Sequence, residues 1–174
     1  MISTISIEGR SSSPQVSVII PCRNERKYIA KTLETILDQD TPRGEFEILV
    51  VDGMSEDGTR DIVARMADDT AGIRLIDNLS RTTPSAMNKG IEAARGRYVA
   101  ILGAHTKYAR DYLRACVELL EEHPEAACVG GPILNKGFSS FGRAVALAMA
   151  HPVGIGNARH RHAHYEGYAE GACY

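Results

Sequence analysis

The sequence predicts an α/β domain with a mostly parallel sheet and helices on both faces. Short β-branched runs alternate four times with amphipathic stretches, and only short connections separate them. The chain has 174 residues, 44% of them hydrophobic, which suffices for one core but not for two ordinary domains. We therefore expect one domain over residues 14–174, after a flexible N-terminal segment over residues 1–13.

The first two strands give the strongest β signals. Val16 to Ile20 is a buried strand closed by Pro21, and Phe46 to Val51 is a second strand that ends at Asp52. A helix is predicted between them, because apolar residues recur at helical spacing at Ile29, Leu33, Ile36 and Leu37.

The next two units repeat this order. A helix that starts near Thr59 precedes a short strand from Ile73 to Ile76. Thr83 is predicted to cap the following helix, with Pro84 at its first position. The apolar face predicted for that helix consists of Met87, Ile91 and Ala94.

The last predicted elements are one strand and two helices. Tyr98 to Leu102 is the fourth strand, and a helix carrying Leu113 and Val117 ends at His123-Pro124. Phe141 to Met149 is a further amphipathic helix. The chain then loses periodicity, so we expect the domain to be incomplete at its C-terminus.

Composition excludes several classes of protein. The net charge of -2 argues against a nucleic-acid partner. The four cysteines show neither zinc nor C-x-x-C spacing, which indicates a reducing compartment. The N-terminus lacks a secretory signal and no apolar run could span a membrane, so a cytoplasmic location is expected.

Polar residues follow each predicted strand. The four loops are residues 21–25, 52–59, 77–81 and 103–106. A helix cap or an Asx-turn would explain any one of them. Four such loops at the carboxyl edge of a parallel sheet instead predict a ligand site.

The segments 16–25 and 48–59 resemble the opening of family 2 glycosyltransferases, and the resemblance extends over about residues 14–158. Residues 78–91 and 103–106 are similar to the branch that makes succinoglycan-type bacterial exopolysaccharides. The resemblance implies a GT-A fold, a nucleotide-sugar donor such as a UDP-sugar, and a saccharide or lipid-linked acceptor.

The resemblance also implies roles for individual residues. Asp52 matches the carboxylate that faces the uracil edge, and Arg81 can donate to a base carbonyl or a phosphate. The other residues expected to bind the nucleotide sugar are Pro21, Arg23, Asn24, Glu25, Asn88, Gly103 and Ala104.

The fourth loop departs from the family pattern. Family members place an Asp-x-Asp or Asp-Ala-His here, and its first carboxylate meets the divalent metal, whereas this chain has Gly103-Ala104-His105. Mg²⁺ prefers oxygen ligands and Mn²⁺ accepts imidazole more readily, so either metal stays open and His105 is the candidate ligand. We expect reduced metal affinity.

The general base is the second departure. Inverting transfer needs a general base, and the resemblance implies a carboxylate in a downstream acidic motif. After Gly131 the only carboxylates are Glu166 and Glu170, and neither lies in a matching motif. The base is therefore expected beyond residue 174, together with any segment for membrane association. The alternative is a non-catalytic nucleotide-sugar-binding module or an inactive fragment.

Two other interpretations carry less weight. The histidines between residues 160 and 164 suit either a metal site or a loop over the active site. A dinucleotide-binding enzyme would need G-x-G-x-x-G after the first strand, where this chain has Pro21-Cys22-Arg23-Asn24-Glu25.

Overall fold

Four parallel strands form the centre of the computed structural model, which describes residues 13–40, 46–131 and 139–151. Their order in the sheet is β3-β2-β1-β4, so the chain starts in the middle and crosses back over β1 to add β4. The predicted parallel sheet is thereby confirmed. The strands are β1 Val16–Cys22, β2 Phe46–Asp52, β3 Ile73–Asp77 and β4 Tyr98–Ile101.

The strand register brings the carboxyl ends of three strands to one level. Cys22 of β1 pairs with Asp52 of β2, and Asp52 pairs with Asp77 of β3. The pairing of β1 with β4 extends only to Ile19. Pro21 therefore lies where one flank of β1 has no partner strand, a position that suits a residue without an N–H donor.

Helices cover both faces of the sheet, as predicted. On one face, buried side chains of α1, α2 and α4 pack against β1 and β2. On the other face, Ala86 of α3 packs against Ile19, Leu49 and Val51. The helices are α1 Ile29–Leu37, α2 Thr59–Asp69, α3 Thr83–Ala93, α4 Tyr112–Glu122 and α5 Ser140–Ala150.

Helix α3 differs from its prediction in two ways. Its N-cap is Thr82 rather than Thr83, and the Thr82 side chain makes no capping hydrogen bond. Its buried residues are Ala86 and Gly90, whereas Ile91 is 50% exposed. The reason is close packing, because a Cβ atom at Gly90 would lie 2.4 Å from Ile19 Cγ2.

A buried carboxylate joins the amino ends of the strands, opposite the polar loops. Glu47 accepts hydrogen bonds from Ser17 Oγ at 2.8 Å and from the backbone and guanidinium of Arg95, both at 2.8 Å. Burial acts to raise the pKa of Glu47, but the bonds from Arg95 and Ser17 outweigh it and lower that pKa. This network fixes the turn that leads into β4.

The chain divides into two compact units, residues 1–117 and 118–174. The second unit contains the end of α4 and all of α5, where Ser139 Oγ accepts a hydrogen bond from the Gly142 N–H at 2.9 Å. Within the described ranges no helix is long and apolar enough to cross a membrane. The predicted division into residues 1–13 and 14–174 stays a prediction, and residues 160–164 lie outside the described part.

Candidate functional site

The loops after β1 and β2 are joined by hydrogen bonds. The Asn24 N–H donates to Ser55 Oγ at 2.8 Å, and Asn24 Oδ1 accepts from the Glu56 N–H at 3.0 Å. The Glu25 N–H donates to Thr59 Oγ1 at 2.9 Å. These bonds fix two of the predicted site residues, Asn24 and Glu25, against the second loop.

Asp57 and Gly58 form the start of α2, as the sequence predicts. Asp57 Oδ1 accepts a hydrogen bond from the Thr59 N–H at 3.0 Å, and Gly58 adopts the left-handed conformation with φ 94°. Hydrogen bonds from Thr59 lower the pKa of Asp57. These two residues therefore shape the loop rather than face a ligand.

Asp52 lies at the end of β2 and is fully buried. Its Oδ2 accepts from the Ser55 N–H at 2.8 Å, and its Oδ1 accepts from Ser55 Oγ. The Cys22 thiol lies 3.6 Å from Oδ1. Burial acts to raise the pKa of Asp52, but the bonds from Ser55 and Arg60 outweigh it and lower that pKa, so the carboxylate is ionised.

Arg60 connects the carboxylates of two neighbouring strands. Its Nη1 lies 2.9 Å from Asp52 Oδ2 and its Nη2 lies 2.7 Å from Asp77 Oδ1. The sequence analysis missed this residue. One signal could have found it: Arg60 is the second residue of α2, where the helix dipole disfavours a cation unless a carboxylate lies nearby.

The loop after β4 contacts the loop after β1. His105 Nδ1 lies 3.3 Å from Glu25 Oε1, and the His105 ring stands edge-on to Tyr28. The buried Ala104 carbonyl accepts a hydrogen bond from Thr32 Oγ1 of α1 at 2.9 Å. Because the chain reverses its direction of strand addition between β1 and β4, this contact lies at the topological switch point, where open α/β sheets bind ligands.

Gly103 is held through its backbone. The hydroxyl of Tyr108 accepts a hydrogen bond from the Gly103 N–H at 2.6 Å. A Cβ atom at this glycine would lie 3.1 Å from Thr106 Oγ1, and its φ is not in the left-handed region. The backbone therefore does not require glycine here.

Arg81 connects the loop after β3 to the loop after β2. Its Nη1 lies 3.8 Å from Glu56 Oε1, and its backbone is left-handed with φ 56°. Asn78 anchors this loop, because its Nδ2 donates to the Thr82 carbonyl at 2.9 Å. Arg81 is therefore presented at the same edge as Asn24 and Asp52.

Five of the predicted site residues thus belong to one series of contacts across four loops. The series runs from His105 to Glu25, from Asn24 through Ser55 to Asp52, and from Glu56 to Arg81. Arg23 and Asn88 are exposed, and among the described residues no hydrogen bond links them to this series. The Arg23 side chain lies over Gly53, where a Cβ atom would meet it at 3.2 Å.

His105 and Glu25 are the pair that could hold a metal ion. They offer one imidazole nitrogen and one carboxylate oxygen, a set that Mn²⁺ accepts. In the parts of the chain that the structure describes, no three His, Cys, Asp or Glu side chains come together to hold an ion. The pair therefore fits an ion whose other ligands are phosphate oxygens and water.

The chain matches the family described as Glycosyl transferase family 2 over residues 17–164. The protein belongs to this family. Two relatives support the assignment. One is the succinoglycan biosynthesis protein ExoA of Rhizobium meliloti, 31% identical over 147 residues, which cover 83% of this chain and 44% of that protein.

The second relative is archaeal. It is the dolichyl N-acetyl-alpha-D-glucosaminyl phosphate 3-beta-D-2,3-diacetamido-2,3-dideoxy-beta-D-glucuronosyltransferase of Methanococcus voltae, 39% identical over 127 residues, which cover 70% of this chain and 39% of that protein. This family 2 chain thus spans less than half the length of either relative. The resemblance to the succinoglycan branch is confirmed.

Solved structures show the same fold. The mannosyltransferase PcManGT of Pyrobaculum calidifontis, in complex with GDP-Man and Mn²⁺, is 35% identical with a TM-score of 0.58, covering 63% of this chain and 33% of that chain. TarS of S. aureus, in complex with UDP, is 26% identical with a TM-score of 0.55 over the same shares. The predicted GT-A fold of this family 2 chain is confirmed.

Proposed function

We propose that this chain carries the donor-binding part of an inverting glycosyltransferase that acts in polysaccharide synthesis. The donor is a UDP-sugar and the acceptor is a saccharide or a lipid-linked saccharide at the cytoplasmic face of a membrane. Family membership and the transferase relatives support an enzyme over the non-catalytic module. UDP bound to TarS and GDP-Man bound to PcManGT support a nucleotide-sugar donor.

One observation carries the proposal, namely the convergence of four strand-end loops on a single edge. A contact at 3.3 Å joins the β4 loop to the β1 loop, and one at 2.8 Å joins the β1 loop to the β2 loop. Stability alone does not require ionised and amide side chains in all four loops. Such an edge suits a ligand that carries both a base and phosphates.

The proposed roles follow the chemistry of the residues. The ionised Asp52, whose side chain is fully buried, holds the Ser55 loop in place beneath the uracil ring, while Asn24 and Glu25 line the nucleoside and Pro21 fixes the turn. Arg81 donates its planar fork to the diphosphate or to a base carbonyl. Arg23, Asn88 and the backbone of Gly103 and Ala104 complete the contacts with the nucleotide sugar.

A divalent ion would be held by His105 and Glu25. A bound metal would stabilise the negative charge on the leaving diphosphate. Mn²⁺ in PcManGT supports such an ion, and the imidazole of His105 favours Mn²⁺ over Mg²⁺. Without a carboxylate at Gly103, we expect the ion to bind weakly unless the nucleotide is present.

The proposed reaction is an in-line displacement at the anomeric carbon of the donor sugar. The acceptor oxygen forms the new bond while the bond to the diphosphate breaks, and a carboxylate base takes the acceptor proton. We place that base outside residues 1–174, because no carboxylate after Gly131 lies in a matching motif.

Calorimetry with UDP tests the donor site. We expect saturable binding of UDP in the presence of Mn²⁺, and weaker binding when the metal is chelated. Asp52→Asn preserves the shape of the side chain but removes the charge that holds Ser55 and Arg60, so it should weaken UDP binding at least about tenfold while pyrophosphate binding changes little. Asp68→Ala, an exposed carboxylate at the far end of α2, is the control. Absence of heat at millimolar UDP would reject the proposal.

A further inference from the structure

We propose that Thr32 of α1 is a positioning residue that directs His105 toward Glu25, so that the two side chains can bind a divalent ion together. The inference rests on the proposed function, in which this pair holds the ion. Thr32 is only 2% exposed, so it acts through its neighbours rather than by touching the ion or the nucleotide. The pair itself is open to solvent, because the side chain of His105 is 65% exposed and that of Glu25 is 22% exposed.

Helix α1 fixes the Glu25 half of the pair at its first turn. The Glu25 carbonyl accepts hydrogen bonds from the Tyr28 N–H and from the Ile29 N–H, both at 2.9 Å. Ile29 is fully buried and belongs to the core that α1 shares with the sheet. The backbone of Glu25 therefore has a fixed place at the start of this helix.

Helix α1 and the turn that follows it also hold the loop after β4 at two points. Thr32 Oγ1 donates a hydrogen bond to the Ala104 carbonyl at 2.9 Å. Gln39, just beyond the end of the helix, donates from Nε2 to the Ala109 carbonyl at 2.5 Å. The loop that carries His105 is thus tied to the same helix that fixes Glu25.

The bond from Thr32 acts directly on His105. The Ala104 carbonyl and the His105 N–H belong to one peptide group, which is planar, so a bond that fixes the carbonyl also fixes the plane from which His105 extends. Without the Thr32 hydroxyl, this buried carbonyl loses a donor, and the peptide group has to turn to find another. Such a turn would move the imidazole away from Glu25 Oε1, which lies 3.3 Å from His105 Nδ1.

Mn²⁺ binding, followed by electron paramagnetic resonance, provides the test. In the parent chain with UDP, pulsed measurements should detect coupling between bound Mn²⁺ and an imidazole nitrogen. Thr32→Val keeps the shape of the side chain but removes the hydroxyl. It should lower the affinity for Mn²⁺ in the presence of UDP about 10- to 100-fold, the range found for residues that orient metal ligands, and weaken the nitrogen coupling. UDP binding with the metal chelated should keep its parental affinity.

Thr35→Val is the matched control, because the Thr35 hydroxyl donates within α1, to the Thr32 carbonyl at 2.8 Å, and not to the loop after β4. It should leave both the Mn²⁺ affinity and the nitrogen coupling at their parental values. Thr32→Ser keeps the hydroxyl and should restore both. If Thr32→Val does not fold, Thr32→Cys replaces it, since a thiol is only a weak donor and should lower both readouts in the same direction.

The outcomes separate this inference from the proposed function. If the parent binds neither UDP nor Mn²⁺, the proposed function fails and the inference fails with it. If the parent binds UDP but its bound Mn²⁺ shows no coupling to an imidazole nitrogen, the donor site stands and the inference is overturned. A folded Thr32→Val variant with parental Mn²⁺ affinity and coupling would also overturn it. Equal losses of Mn²⁺ binding and of metal-free UDP binding would do the same, because they would indicate a general structural role.

Discussion

In the part of the chain that the structure describes, three residues other than glycine adopt a left-handed backbone, and all three lie in strand-end loops. Asn24 and Met54 have φ 57° and Arg81 has φ 56°. Asparagine tolerates this region, whereas methionine and arginine rarely occupy it. Such conformations cost on the order of 1–3 kcal/mol each, and they concentrate at functional sites. Their distribution after β1, β2 and β3 is therefore independent support for a ligand site at this edge.

Gly103 is the residue at which the metal hypothesis can be tested by gain of function. Gly103→Asp should raise the affinity for Mn²⁺ in the presence of UDP about 10- to 100-fold, the range over which metal-site partners act. The backbone there is not left-handed, and a Cβ atom would lie 3.1 Å from Thr106 Oγ1, so only that hydroxyl has to shift. Titration of Mn²⁺ followed by electron paramagnetic resonance measures the effect.

Gly103→Asn is the control for this gain, because it has the shape of aspartate without its charge. The asparagine variant should leave Mn²⁺ affinity close to that of the parent. Equal gains in both variants, or no gain with aspartate, would show that the ion is not held beside His105 and Glu25.

At the scale of elements, sequence periodicity predicts which strands and helices exist, and in what order, better than it predicts which face of a helix is buried. Within residues 13–40, 46–131 and 139–151, the four strands and five helices lie where the β-branched runs and apolar spacing place them. The face of α3 was predicted wrongly at Ile91, which outweighs Gly90 in any hydrophobic pattern, whereas the predicted Ala94 does pack against the buried residues. The buried face of α3 is determined by its close approach to Ile19. This approach depends on tertiary packing, so the hydrophobic periodicity of the sequence does not indicate it.

The same limit applies to the candidate site. The loops could be predicted because residues that follow parallel strands share an edge of the sheet. The contact between Glu25 and His105, which are 80 positions apart, depends on the strand order and could not be derived from spacing. Arg60 was missed because a single arginine on a polar helix resembles other solvent-facing residues unless its position in the first turn of α2 is considered.

The packing of α3 on the sheet leads to a stability prediction. Gly90→Ala should lower the free energy of unfolding by about 1–2 kcal/mol, because overpacking costs about 1–3 kcal/mol and better helix propensity returns part of it. The new methyl group would lie 2.4 Å from Ile19 Cγ2 and 3.0 Å from its Cδ1. Urea unfolding followed by circular dichroism measures the change.

Gly130→Ala is the control for this prediction, because nothing lies within 4 Å of a Cβ atom at that position. It should leave the free energy of unfolding nearly unchanged. If Gly90→Ala proves as stable as the parent or more so, then α3 does not need the close contact with β1.

At the scale of the whole sheet, two buried carboxylates lie at opposite edges, the carboxyl edge and the amino edge, and have different roles. Asp52 lies at the carboxyl edge among groups proposed to bind the nucleotide. Glu47 lies at the amino edge, where Arg74, Arg95 and Ser17 surround it. The amino edge holds β1, β2, β3 and the turn before β4 together, so it should contribute to stability without contributing to binding.

Glu47→Gln tests this separation of stability from binding. At pH 7 it should lower the free energy of unfolding by about 1–3 kcal/mol, because hydrogen bonds to a buried charged group are lost, while the dissociation constant for UDP stays unchanged. The pKa of Glu47 in the folded state lies below its ordinary value of 4.5, so its contribution is complete above that value and disappears as the pH falls through the folded pKa. The difference between parent and variant in urea unfolding should therefore shrink on acidification.

Glu34→Gln, which removes only an exposed partner of Lys31, should leave stability nearly unchanged at every pH. A difference that does not shrink on acidification, or a weaker affinity for UDP, would mean that the amino edge does not act independently of the donor site.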